Sequence, residues 1–146
     1  MSGREGSTSV ASGGVDDWLS VDDRVLDAVP LERLELEISG FASHLAAASA
    51  KWLVWVGAYD RREGWASWET KSCAHWLNWR CGVSLRTGRE QVRVARCLEA
   101  LPQIRECFLA GKISYSKVRA VSRVATINNE ADLLAIALAG TASQTE

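Results

Sequence analysis

The apolar residues between positions 34 and 59 constrain the fold most strongly, because steps of four and three residues separate them in alternation. A heptad pattern sustained over more than three repeats places its apolar side chains along one face of an α-helix. It predicts one long helix over residues 31–59, in spite of Gly40, which costs about 1 kcal/mol relative to alanine. We name the repeating residues the heptad seam: Leu34, Ile38, Phe41, Leu45, Ala48, Trp52, Trp55 and Tyr59.

Glycine and serine residues divide the rest of the chain into shorter helices. A helix over residues 69–81 is predicted to end at Gly82, and Ser84 is placed to cap the next helix, which extends to Leu101. Further helices are predicted over residues 103–110, from Ser114 or Ser116 to about residue 125, and from residue 130 onward. No segment alternates as a strand would. The sequence predicts an all-α helical bundle with one long N-terminal helix and several short helices, including a helix-turn-helix-like pair around Gly82.

The apolar spacing also predicts which side chains are buried. Trp65 and Trp68, in the connection after the long helix, are expected to cover the end of that helix. On the last two helices the residues expected to face inward are Val118, Val121 and Val124, and then Leu133, Leu134, Ile136 and Leu138.

The helix that follows Ser84 has two unlike faces. Val94, Ala95, Leu98 and Leu101 form an apolar face suited to packing against other helices. On the other side, at about 100° per residue, four arginines fall within an arc of about 80°. Arginine is planar, permanently charged and matched in shape to phosphate groups. We name these residues the arginine stripe: Arg86, Arg89, Arg93 and Arg96.

The positive charge of the chain is concentrated around this stripe. The formal net charge is -1, but residues 80–123 hold ten basic and three acidic groups, whereas residues 1–40 hold three basic and nine acidic groups. Such an asymmetry favours a polyanionic partner for the basic segment. Lys117, Arg119 and Arg123 would extend the stripe if the following helices pack alongside it. The alternative interpretation is a solvated charged face, since Glu90 lies near one margin of the stripe.

The match to a DNA-binding helix-turn-helix is loose. Those motifs place a small residue about four positions before the turn glycine. Here Ala74 precedes Gly82 by eight residues, and Asn78 occupies the four-residue position. Two short helices around a glycine turn also occur in ordinary helical bundles, so both interpretations stay open.

No residue pattern indicates catalysis or a cofactor. His44 and His75 lie outside the known metal-binding and nucleophile motifs, and no phosphate-binding glycine loop is present. We expect no enzyme activity, no metal, no cofactor and no small-molecule substrate. The four cysteines lack CxxC spacing and are expected to be buried or inert reduced thiols: Cys73, Cys81, Cys97 and Cys107.

Composition divides the chain into a tail and one domain. Residues 1–15 are rich in Gly, Ser and Thr and are expected to be disordered. A single helical domain over residues 16–146 is expected to begin with a short helix within residues 18–29 and to be truncated at its polar C-terminal end. No apolar leader and no run of about 20 apolar residues occurs, so we expect a cytoplasmic protein with no membrane partner.

Three segments of the chain resemble a known family. SCAHWL, RCGVS and REQVRVARCLEALPQIRECFLAGKISYSKVRAV occur in that order, and VRVAR, LEALP and LAGKIS are their most specific parts. They are similar to domain of unknown function 222 (DUF222), found in the 13E12 repeat family of actinobacterial proteins. The similarity covers roughly residues 31–140 and is strongest over residues 68–121.

The resemblance implies an all-helical fold, often followed in longer members by a C-terminal HNH nuclease domain that binds a divalent metal. This chain departs from that arrangement, because its 146 residues contain no such domain and neither His44 nor His75 has the HNH context. The chemistry of the nuclease is therefore carried over to no residue here.

Two functional hypotheses follow from the sequence. The first is a non-catalytic helical module of a DNA-acting, HNH-nuclease-associated protein that contacts DNA phosphates through the arginine stripe, with Lys117, Arg119 and Arg123. The alternative is a protein–protein interaction or dimerisation scaffold, whose long helix pairs with another copy or with an HNH nuclease domain. An inactive fragment of a longer nuclease-family protein is a third interpretation.

Overall fold

The computed structural model describes residues 21–142, so the tail predicted over residues 1–15 lies outside the described residues. The described part is helical, without a strand, and the predicted all-α fold with one long helix before several shorter ones is confirmed. We number the elements α1 (Asp23–Asp27), α2 (Leu31–Arg61), a 3₁₀ helix (Gly64–Trp68), α3 (Cys73–Cys81), α4 (Leu85–Glu99), α5 (Pro102–Leu109), α6 (Tyr115–Val121) and α7 (Glu130–Ala142).

The chain divides into two compact units between Ser39 and Gly40. In the first unit, the described residues 21–39 comprise α1 and the start of α2, and none of them is buried. An ion pair of 3.0 Å between Arg33 and Glu37 supports the helix there. The second unit contains the remainder of α2, the other helices and the hydrophobic core.

Serine hydroxyls fix the start of three helices in the second unit. Ser72, Ser84 and Ser114 each accept a hydrogen bond from the backbone N–H three residues later. Such caps satisfy donors that the helix itself leaves unpaired. At the other end of α3, Gly82 adopts a left-handed φ of 69°. The predictions for Ser84 and Gly82 are confirmed, and Ser114 rather than Ser116 caps α6.

The apolar face predicted for α4 is buried in the core, including Val94 and Leu98. Gly88 on α4 is buried as well, and a Cβ there would lie only 3.4 Å from the backbone oxygen of Ala74 in α3. Gly88 and Ala74 therefore meet in the contact between α3 and α4, where an added Cβ would make an ordinary van der Waals contact. The helix-turn-helix-like pair predicted around Gly82 is present.

The buried side of α2 differs from the heptad seam. Leu45 and Trp55, both seam residues, remain 57% and 65% exposed. The buried residues are mostly small: Ala46, Ala50, Leu53, Val56, Gly57 and Asp60. A Cβ at Gly57 would lie 3.5 Å from the Cβ of Ala95, so small residues on α2 allow the close approach of α4. The repeat correctly predicted the helix, and pairing of the seam with another protein stays a prediction.

Trp65 packs against the core as expected, and Trp68, although its side chain is exposed, lies against the hydroxyl of Tyr59 near the end of α2. Two burial predictions on the last two helices are wrong. Val124 is exposed because α6 ends at Val121 and the chain turns before reaching it. Ile136 is exposed on α7, whose buried side contains Leu134, as predicted, and Ala137. Although α2 has 31 residues, neither it nor another helix of the described part is apolar enough to cross a bilayer.

Glu130, predicted to lie in the first turn of α7, is almost fully buried at 1% exposure. Its Oε1 accepts a hydrogen bond of 2.9 Å from the backbone N–H of Ile104, near the start of α5. The N-cap residue of α5 is Leu101, which makes no side-chain cap. Glu130 therefore supplies from α7 an acceptor that α5 lacks locally.

Replacing Glu130 with alanine should lower the free energy of unfolding by about 2 kcal/mol, because a buried backbone donor loses its partner. Denaturant titration of the wild type and the variant measures the change. Asp132→Ala is the matched control, since Asp132 is an exposed acidic residue in the same helical turn. Equal losses in the two variants would contradict the capping role of Glu130.

Candidate nucleic-acid interface

Three arginines converge on the carboxylate of Glu90 in α4. Arg93 donates two hydrogen bonds, from Nη2 to Oε1 at 2.6 Å and from Nε to Oε2 at 3.0 Å. Arg123 Nη2 lies 3.0 Å from the same Oε1, and Arg119 Nε lies 3.6 Å from it. We name these four residues the Glu90 cluster. The Glu90 side chain is only 22% exposed, so its negative charge offsets part of the arginine charge in surroundings from which water is partly excluded.

Arg93 also joins α4 to the end of α6 by its own hydrogen bonds. Its Nη2 lies 3.3 Å from the backbone oxygen of Arg119 and 3.2 Å from the hydroxyl oxygen of Ser122. Ser122 is buried and in turn donates to the Arg119 oxygen at 2.8 Å. The segment that contains Arg119 and Arg123 is therefore attached beside the arginine stripe, as the sequence analysis expected if the helices packed alongside each other.

The surrounding arginines lower the pKa of the Glu90 carboxyl below its ordinary value. The hydrogen bonds from Arg93 are the largest cause, and the charges of Arg93, Arg123 and Arg119 act in the same direction against the effect of burial. Glu90 is therefore ionised at neutral pH. It holds the three guanidinium groups together but cancels only one of their charges.

A second carboxylate pairs with the C-terminal end of the stripe. Asp60 of α2 is 8% exposed and accepts from Arg96, through Nε at 2.8 Å and Nη2 at 3.1 Å. This two-pronged geometry is the one that arginine favours with carboxylates. The Arg96 side chain nevertheless remains 66% exposed, so part of its guanidinium edge faces solvent.

The first two stripe residues have no such partner. Arg86 and Arg89 are exposed and form no hydrogen bond or ion pair with any of residues 21–142. Arg89, Arg93 and Arg96 line one wall of a surface cavity of about 490 Å³, and residues 72–74 at the start of α3 line the other. The unpaired guanidinium of Arg89 is therefore beside a space that can admit a ligand group.

Lys117 lies away from this arrangement of arginines. Its Nζ donates a hydrogen bond of 3.0 Å to the backbone oxygen of Ala137 in α7. The structure thus places Arg119 and Arg123 with the stripe and places Lys117 against another helix. We name the combined surface the arginine surface: Arg86, Arg89, Arg93, Arg96, Arg119 and Arg123, with Glu90 and Asp60.

Cys73 also lines the cavity, and all four cysteines are free thiols. Burial raises the pKa of the Cys73 thiol to about 11, so it is protonated at neutral pH. Cys81, by contrast, is exposed. Among residues 21–142 no group of three or more His, Cys, Asp or Glu side chains is arranged to hold a metal ion.

Sequence reasoning located the arginines but missed the roles of the two carboxylates. Glu90 and Arg93 are three residues apart on one helix, a spacing that could have indicated their pairing. Asp60 carries no comparable signal, because its partner lies 36 residues away and is reached only through the packing of α2 on α4.

The fold and the arginine surface define a small all-helical module with a cationic surface along α4. A family model described as "Domain of unknown function (DUF222)" matches residues 32–145. The chain belongs to this family, which confirms the resemblance seen in its VRVAR, LEALP and LAGKIS segments. No curated protein and no solved structure matches the chain.

Replacing Glu90 with glutamine should lower the free energy of unfolding by about 1–2 kcal/mol at pH 7, since Arg93 loses a charged acceptor. The pKa of Glu90 is lower in the folded chain than its ordinary value of 4.5. The stabilisation is therefore complete above that ordinary value and is lost as the pH falls through the folded value. Urea titrations of the wild type and the variant at several pH values, from neutral to strongly acidic, measure how this difference in the free energy of unfolding depends on pH.

Glu99→Gln is the matched control for the Glu90 substitution. Glu99 also pairs with an arginine, Arg61, at 2.6 Å, but both side chains are at least 40% exposed. An exposed pair of this kind contributes about 0.5 kcal/mol or less. If Glu90→Gln had as small an effect as Glu99→Gln at pH 7, the structural role of the Glu90 cluster would be refuted.

Proposed function

We propose that this chain is a non-catalytic module that binds the phosphate backbone of DNA through its arginine surface. In this proposal the chain is the helical part of a DNA-acting protein. The resemblance implies such an arrangement, because an HNH nuclease domain often follows the helical module in longer members of the family. The observation that carries the proposal is the excess of positive charge. The surface contains six arginines but only two carboxylates, which pair with four of them, and Arg86 and Arg89 have no partner among the described residues.

The ion pairs within the surface leave donors for a ligand. A guanidinium group has five N–H donors, and Arg96 uses two of them on Asp60. Arg119 and Arg123 each direct one nitrogen towards Glu90, and their side chains are more than half exposed. The carboxylates therefore fix the positions of the arginines without saturating them. Phosphate oxygens can accept the remaining N–H groups.

The spread of the arginines favours a polyanion over a single small anion. They extend from Arg86 at the start of α4 to Arg96 near its end, about 15 Å at the rise of an α-helix. Arg119 and Arg123 widen the surface at its middle, where Glu90 lies. Since B-DNA carries one negative charge per about 1.7 Å of axis, a surface of this length faces several phosphates.

Duplex binding should be strongly dependent on salt. Six arginines and two carboxylates leave four net positive charges, so log Kobs should fall with log salt with a slope of about -3.6. Arg86→Ala together with Arg89→Ala should reduce the slope to about -1.8 and weaken binding on every duplex sequence to a similar extent. Fluorescence anisotropy with a labelled duplex, titrated at several salt concentrations, measures both quantities.

Arg105→Ala is the control, since it removes an arginine from outside the arginine surface, to be compared with Arg86→Ala and Arg89→Ala made singly and together. Arg105 lines a different cavity, together with Ala95 and Leu98 from the apolar side of α4. This variant should retain the wild-type affinity to within about twofold. Salt-independent duplex binding, or unchanged binding after loss of both Arg86 and Arg89, would overturn the proposed function.

A further inference from the structure

Two tryptophans and an arginine form an exposed cluster apart from the arginine surface. The ring centroids of Trp68 and Trp79 are 5.7 Å apart, with the planes inclined at 53°. The guanidinium carbon of Arg80 lies 5.7 Å from the Trp68 ring and 5.3 Å from the Trp79 ring. Both distances lie within the range of cation–π attraction. We name these three residues the tryptophan platform.

Two chain segments place the platform. Trp68 is the last residue of the 3₁₀ helix, whereas Trp79 and Arg80 lie in the last turns of α3. The 3₁₀ helix begins and ends beside residues of left-handed φ, Glu63 at 51° and Glu69 at 58°. Glutamate rarely adopts such angles. Hydrogen bonds within the segment, such as the one of 2.9 Å from Ser67 Oγ to the backbone oxygen of Gly64, hold the turn in this conformation.

The exposure of the platform is unusual for tryptophan, a residue that is mostly buried on average. Trp68 and Trp79 are 53% and 56% exposed. By contrast, Trp76 lies 4.4 Å from the ring of Tyr59 and packs against the core. The platform therefore adds little to the core, while it presents indole surface and a cation to solvent.

We propose that the tryptophan platform binds unpaired nucleobases of single-stranded nucleic acid by stacking, an inference that rests on the proposed function for its nucleic-acid partner. Every base has a flat π-face that can stack on an indole ring. In a duplex these faces are covered by neighbouring base pairs, so the platform discriminates between single-stranded and duplex ligands. Arg80 adds a positive charge for the adjoining phosphate.

The distribution of charge favours a nucleic acid over an apolar protein partner. Arg80 is the first residue of the segment over residues 80–123 that holds ten basic and three acidic groups. It precedes Arg86 by only six residues, and α3 packs closely on α4 through Ala74 and Gly88. A strand that stacks on the platform thus has cationic groups nearby in the same pair of helices.

The proposal is tested by measuring the binding of a labelled oligothymidylate of about 15 nucleotides. The affinities for an abasic oligomer and for a duplex of the same length are measured for comparison. Trp68→Leu with Trp79→Leu removes the flat rings but keeps exposed apolar side chains. It should weaken oligothymidylate binding by about tenfold or more, change duplex binding by less than about twofold, and leave binding to the abasic oligomer unaffected. Trp55→Leu is the matched control, since it removes another exposed indole beside a cation, Lys51.

The outcomes separate this inference from the proposed function. If duplex binding depends on salt but the double substitution leaves the oligothymidylate affinity unchanged, the role of the platform is refuted and the proposed function is not. Oligothymidylate binding that requires Trp68 and Trp79, without salt-dependent duplex binding, supports the platform and overturns the duplex proposal. Failure to bind either nucleic acid overturns both. Tryptophan-dependent binding to phosphatidylglycerol vesicles, with none to oligothymidylate, assigns the platform to lipid and overturns the inference.

Discussion

The Glu90 carboxylate determines how the positive charge of the second unit is arranged. Without it, Arg93, Arg119 and Arg123 would be like charges in close proximity, and their mutual repulsion would oppose the packing of α6 beside α4. With it, three guanidinium groups lie on one side of the molecule and two charges remain in excess within the Glu90 cluster. One carboxylate therefore stabilises the fold and at the same time concentrates a cationic surface.

Two other buried or nearly buried carboxylates act in a comparable way. Asp60 joins α2 to α4 through Arg96, and Glu130 joins α7 to α5 through a backbone N–H. Each of these acids is satisfied by a group that lies at least 26 residues away in the chain. Such interactions specify which helices lie side by side, because a buried carboxylate is costly unless its partner is in place.

The sequence predicted the helices more completely than their packing. Local signals suffice for a cap at Ser84 or a helix end at Gly82, because the donors and the backbone angles concerned lie within a few residues. The faces of α2 could not be predicted in the same way. The large residues of the heptad seam have the stronger periodic signal, but small residues such as Ala50 and Gly57 allow helices to approach closely. Close approach determined which side was buried.

The arginine surface shows the same division between local and distant information. Helical spacing alone aligned Arg86, Arg89, Arg93 and Arg96, whereas the partners of the last two required tertiary structure. The four arginines are not equally free to bind a ligand, since Arg93 and Arg96 each bind a carboxylate. The platform formed by Trp68 and Trp79 has no sequence signal of its own, because the two rings come from different elements. Its exposure became visible only in the fold.

In the proposed function the arginine surface binds DNA phosphates through its excess charge, and Glu90 limits that charge. The most direct measurement is the salt dependence of duplex affinity for the wild type and for Glu90→Gln, at a temperature where both are folded. Removing the Glu90 charge raises the excess from four to five, so the variant should bind more tightly, with a slope near -4.5 in place of about -3.6. An unchanged slope, or weaker binding by the folded variant, would show that the excess charge of the arginine surface does not determine DNA binding.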